Sequence, residues 1–150
     1  MKDIENVSGD VLDVALRLHR QLGPGLIESV YETVLAGKLI EMGYAVARQR
    51  PVDIEFEGLR FDGAFRIDLL VDDRLIVEIK SVDQLHAAQG KQLLTYLRLT
   101  GQPVGLLINF GGATLKEGVR RVVNDYRPSA SPRLRVNQIP DYGPRPTLRR

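Results

Sequence analysis

The chain of 150 residues has no cysteine and no tryptophan, only two histidines, and few aromatics, at 6%. Without cysteine there are no disulfides, iron–sulfur clusters or thiolate zinc sites. Two isolated histidines argue against a His-rich zinc site. No apolar run approaches the roughly 18–20 residues that a membrane span needs. The start, MKDIENVSGD, is polar and acidic and does not read as a signal peptide, so Asn6-Val7-Ser8 is taken as a chance sequon. Three nucleotide and hydrolase signatures are also missing: the G-x-x-x-x-G-K-[ST] loop, the G-x-S-x-G elbow and the dinucleotide glycine fingerprint. The expectation is a soluble cytoplasmic protein with no support for ATP, NAD or serine-hydrolase chemistry.

Charge is unevenly placed. Residues 127–150 hold six arginines against Asp141 alone, a net +5, and five of the eight prolines. That leaves 15 basic and 18 acidic residues, a net −3, in residues 1–126. Proline at this density removes donors and blocks helix. Residues 127–150 are therefore expected to form an extended or disordered arm, which either contacts phosphates or only aids solubility. Residues 1–126 are the expected folded domain, of a size that can bury a core.

Apolar spacing predicts helices over about 10–22, 27–42 and 86–100. Strands are predicted near 45–55 and 59–62, and at Phe65–Val71, Leu75–Lys80 and Val104–Phe110. Residues 114–125 fit a helix by spacing, but Gly118 counts against it. The order of elements argues for an α/β fold with a mixed central sheet flanked by helices.

The segment FRIDLLVDDRLIVEIK carries the most chemistry. Side chains alternate along a strand, so the apolar faces of this hairpin match if 67 pairs with 79, 69 with 77 and 71 with 75. The loop is then Asp72-Asp73-Arg74, and Asp68 lies opposite Glu78 and Arg66 opposite Lys80. Opposed like charges destabilise a sheet. Solvent or the nearby Arg66 and Lys80 could offset the repulsion, and so could a divalent cation between the two acids. Oxygen ligands of this kind suit Mg²⁺ or Mn²⁺. Without such an ion the clustered acids should show raised pKa values.

Three further patterns accompany the hairpin. Gly25 to Tyr31 reads G-x-x-E-x-x-Y, Asp68 to Lys80 reads D-x₉-E-x-K, and Gln92 to Tyr96 reads Q-x-x-x-Y. In this order and spacing the chain resembles the GxxExxY protein family, grouped with the PD-(D/E)xK nucleases of restriction-endonuclease-like core. The resemblance covers about residues 5–125 and includes the VGLLINF stretch. Ile67 stands where the superfamily motif often has proline.

The resemblance implies a Mg²⁺- or Mn²⁺-dependent nuclease acting on DNA phosphodiesters. Asp68, Glu78 and the Ile79 carbonyl would hold the metal, and Lys80 would be the catalytic lysine. Glu28 looks like an additional acidic ligand. Gln92 and Tyr96 would border the site, on one helix face that Gln89 shares. His86 has no assigned place, and a homodimer is compatible with this chemistry. Read without the resemblance, Glu28 is a helix-dipole acid, Tyr31 a core residue with a satisfied hydroxyl, and Gln92 and Tyr96 an ordinary half-buried helix face. His19 reads as structural, and Arg120 and Arg121 as a solvated face. The rival functions are an inactive nuclease-fold module that binds nucleic acid or a protein, and an enzyme of other phosphoester chemistry.

Overall fold

The computed structural model describes residues 2–124; the arginine-rich segment 127–150 lies outside them. Helices α1 (Ile4–Leu22) and α2 (Glu28–Glu41) precede the long strands β1 (Val46–Phe56) and β2 (Leu59–Val71) and the short β3 (Leu75–Lys80). Helix α3 (Ala87–Thr100), β4 (Val104–Asn109), a 3₁₀ turn at Lys116–Gly118 and β5 (Val119–Val123) follow. The strands form one sheet in chain order, parallel only between β3 and β4. This is the expected α/β fold. Helix α3 is the crossover that a parallel β3–β4 pair requires.

The sheet is covered on both faces. On one, Val7, Val11, Val14 and Leu18 of α1 and Tyr31, Leu35 and Leu39 of α2 pack on Leu69, Val71, Val77, Ile79, Leu106 and Ile108. On the other, Leu93 and Leu97 of α3 pack on Leu70, Ile76 and Leu107. Strands β3 and β4 are buried on both sides, which is why they read as continuous apolar runs.

Several expectations shift. Helix α1 begins six residues early, because Asp3 caps it and Val7 extends its apolar stripe. On α2 the buried row is Tyr31, Glu32, Leu35, Ala36 and Leu39, whereas the apolar Val30 and Met42 are exposed. The two segments 59–62 and 65–71 are a single strand running through Gly63 (φ +61), whose N–H the Asp53 carboxylate accepts at 2.7 Å. The ambiguous 114–125 stretch ends as the edge strand β5. Val119 joins one core cluster and Val122 the other, the alternation of a strand. Gly118 permits this, since a Cβ there would lie 2.5 Å from the Asn109 carbonyl oxygen.

The predicted hairpin register holds for three rungs, Leu69–Val77, Leu70–Ile76 and Val71–Leu75. Asp72 and Asp73 both have positive φ, as a I′-type hairpin turn requires. The expected rung between residues 67 and 79 is absent, and Ile67 packs with Leu70 and Leu93 rather than with Leu69. Arg66, expected opposite Lys80, instead reaches the Gln49 carbonyl at 3.4 Å.

The loop after β3 is clamped by Asn109, which is buried at the end of β4. Its side-chain oxygen accepts from Val82 N (2.9 Å) and Gly111 N (3.0 Å), and its amide donates to Val82 O (2.9 Å). Gly111 approaches so closely that a Cβ would lie 2.3 Å from Val82 O. Asn109→Ala should leave these groups unpaired and cost about 2 kcal/mol of stability in urea unfolding. A change below about 0.5 kcal/mol, the range of an inconsequential surface substitution, would mean that the clamp does not hold the loop.

Candidate active site

The site forms where β2 and β3 part. Beyond the Leu69–Val77 rung, side chains replace the backbone ladder. Asp68 N donates to Glu78 Oε2 at 3.2 Å, and Ile79 N donates to Asp68 Oδ2 at 2.9 Å. Each carboxylate thus sits against the other strand's backbone. The sequence-derived juxtaposition of Asp68 and Glu78 is present, and the acids themselves wedge the strands apart.

Glu78 is 7% exposed. Burial pushes its carboxyl up to about 8, and the charges of Asp68 and, more weakly, Glu28 push in the same direction. The Asp68 N–H and the Lys80 ammonium oppose the rise without cancelling it. Lys80 ends β3, half-buried, and Glu28 opens α2, exposed.

Tyr96 lies within electrostatic reach of the same acids. Its hydroxyl is pushed up by burial and then by the charges of Glu78 and Asp68. Its ring stacks on Phe65, with centroids 3.8 Å apart and planes 6° from parallel. Gln92, one turn earlier on α3, is exposed. Gln89 is a capping residue, its side-chain oxygen accepting from His86 N at 2.8 Å, which places His86 at the helix start.

The loop before α2 is tied down by Tyr31. Its hydroxyl donates to Gly23 O (2.5 Å) and accepts from Leu26 N (3.2 Å). Its ring stacks on Phe110 at 4.4 Å. His19 is buried, with Nε2 3.0 Å from the Gly112 carbonyl, and serves structure. Arg120 caps carbonyls of its own turn and Arg121 pairs with Glu5, both exposed. Between the Tyr31-held loop and the β3–α3 loop lies an open cleft of about 520 Å³, lined by Leu26, Glu28, Ser81, Asp83 and Gly111 among others. Ser81 ties the two loops, donating to Leu26 O at 2.6 Å.

Two site residues have no counterpart in the motifs. Glu32, buried one turn after Glu28, accepts from Arg48 Nε at 3.1 Å and from Gln49 Nε2 at 2.7 Å. The same Gln49 nitrogen donates to Asp68 Oδ1 at 3.1 Å. The four-residue interval from Glu28 to Glu32 is visible in the sequence as one helix face. Gln49 is not, because only the β1–β2 register reveals it. Its φ of +51° is a left-handed conformation within a strand, which costs a non-glycine residue on the order of 1 kcal/mol.

Among the described residues no three carboxylate or imidazole side chains converge into a ready-made metal cage. The donor set nevertheless suits a hard divalent cation: two adjacent acids, one buried and disfavoured as an anion. Mg²⁺ in particular is commonly held by one or two carboxylates, with water and substrate phosphate completing its shell.

A five-stranded mixed sheet between helices, with an acid pair and a lysine where two strands part, defines a nuclease-like α/β domain. Residues 5–122 match the PD-(D/E)XK nuclease superfamily, and the chain belongs to it. Neither a comparison with curated proteins nor one with solved structures returned a match. No helix among the described residues is long and apolar enough to cross a membrane.

The raised Glu78 pKa has a consequence for stability. The folded state holds a proton that the unfolded state releases near 4.5, so metal-free stability falls as pH rises from there through about 8. The full loss is on the order of 5 kcal/mol. Glu78→Gln should remove most of this decline. Thermal unfolding in EDTA from pH 5 to 9 should show the wild type falling progressively below the variant up to about pH 8, with a constant gap above that. Parallel curves would show that Glu78 ionises without penalty.

Proposed function

We propose that this member of the nuclease superfamily hydrolyses DNA phosphodiesters with Mg²⁺ or Mn²⁺, as a GxxExxY-type protein of the cytoplasm. The wedge of Asp68 and Glu78 between β2 and β3, with Lys80 at the end of β3, is the observation that carries this reading. Asp68, Glu78 and the Ile79 carbonyl would hold the cation, with Glu28 as a further acid at the mouth. A divalent cation there lowers the pKa of water and offsets charge on the phosphodiester.

The chain's own groups supply the rest. Lys80 presents an ammonium to the negative charge that develops on the phosphate oxygens. Glu78, drawn between protonated and ionised forms near neutral pH, becomes a full anion when a cation arrives, and binding should therefore release a proton. Tyr96, held by Phe65 on the α3 side, could orient the acids or the nucleic acid, with Gln92 exposed one turn earlier on the same helix. The cleft beside Glu28 and Ser81 offers room for a segment of the substrate. Residues 1–126 are net negative, so duplex contact relies on local cations such as Lys80 and on the arginines of residues 127–150.

The deciding experiment presents labelled single-stranded, duplex and supercoiled DNA, and RNA, to the full chain in Mg²⁺, Mn²⁺ or EDTA. Cleavage should need metal, and Asp68→Ala, Glu78→Gln and Lys80→Ala should each reduce it about 10²-fold or more. Cleavage of RNA alone would redirect the substrate class. A folded protein that binds nucleic acid or a partner equally in EDTA, and cuts none of these substrates, would be an inactive module of the same fold.

A further inference from the structure

Consecutive side chains on a regular strand point to opposite faces. Arg48 and Gln49 of β1 break this rule, because both end on the same buried carboxylate, Glu32. The left-handed backbone at Gln49 turns the second side chain back toward the first. Gln49 also drops out of the β1–β2 ladder, which runs through Arg48–Leu69 and resumes at Arg50–Ile67. The skipped position faces Asp68.

The strained residue thereby spans two acids with one nitrogen. Its two amide hydrogens go to Glu32 Oε1 (2.7 Å) and Asp68 Oδ1 (3.1 Å). The reverse amide orientation would set a carbonyl oxygen against two carboxylates, so the network itself assigns the nitrogen. Asp68 Oδ2 is taken by Ile79 N–H at 2.9 Å. Both oxygens of Asp68 are therefore anchored, one from each neighbouring strand, and each keeps a lone pair for another partner. Glu32 is fixed in turn by Arg48, whose Nη2 also donates to Thr33 Oγ1 at 2.8 Å.

We infer that Gln49 is a positioning residue, whose amide, backed by Glu32 and Arg48, locks the Asp68 carboxylate in the orientation that receives a divalent cation. This rests on the reading of Asp68 and Glu78 as the cation site. Outer partners of this kind commonly govern metal affinity by 10–100-fold.

Gln49→Gly tests it, because glycine accepts the left-handed backbone while removing the amide. Gln49→Asn is the second variant: asparagine tolerates that φ, but its side chain is one methylene too short to span both acids. Each full-length protein is titrated with Mn²⁺ alone by calorimetry, its melting temperature is measured in EDTA, and its DNA cleavage is followed. Mn²⁺ affinity should fall about tenfold in both variants, and at saturating Mn²⁺ the KM for DNA should hold within about twofold while kcat is reduced. The EDTA melting temperature of Gln49→Gly should fall only modestly, because relief of the left-handed backbone offsets part of the lost hydrogen bonds, and the variant stays folded for the titration. Wild-type Mn²⁺ affinity, within about twofold, in either folded variant would overturn the inference and leave the cation site standing. A wild-type protein that takes up no Mn²⁺ would remove the cation site and this inference together.

Discussion

The site depends on one exchange. At a single place in the sheet, two carboxylates take the positions that backbone carbonyls hold elsewhere. Ile79 N–H goes to Asp68 and Asp68 N–H goes to Glu78. Backbone donors in a buried sheet need partners, and here the partners are acids. The strands cannot close without expelling the carboxylates, and the carboxylates cannot leave without orphaning the donors. The opening between β2 and β3 is thus built into the hydrogen bonding.

The exchange sets an electrostatic difficulty that the scaffold must sustain. Glu78 is buried beside Asp68, and the nearest compensating charge is Lys80. Desolvation of an anion is among the larger penalties available to a fold. The apolar packing of α1 and α2 on one face and α3 on the other carries it. Polar ties then fix the loops around the opening: Tyr31 across Gly23 and Leu26, Ser81 to Leu26, and Asn109 to Val82 and Gly111. Each of these uses a polar side chain to hold loop backbone in place.

What the sequence reveals and what it hides divide along the same line. The hairpin register is legible because a one-residue slip would bury polar groups, and three rungs follow it. The pattern fails at 67–79, because apolar alternation assumes a closed ladder and the acids have opened it. Ile67 moves to the other cluster for this reason. Glu28, Asp68, Glu78, Lys80 and Tyr96 are legible as motif positions, and the structure gathers them around one opening, leaving Gln92 exposed one turn away. Glu32 shows only as an acid four residues after Glu28, and Gln49 is hidden. The first is an acid within the row that packs α2 against the sheet, and the second is a polar residue on a strand whose pairing no local pattern specifies. Where sequence rules break at a functional site, the break itself is informative.

The same geometry bears on how the substrate is met. A cage of three or more acids would satisfy a cation without help, and the described residues contain none. On the proposed reading, two anchored carboxylates and a backbone carbonyl would leave positions that a phosphate oxygen can fill. The cation and the nucleic acid would then stabilise each other's binding, since each supplies charge the other lacks. This also answers the apparent conflict between a net negative domain and a polyanionic substrate. Asp68 and Glu78, which would repel a phosphate in the absence of a cation, are the acids that would recruit the positive charge to hold it.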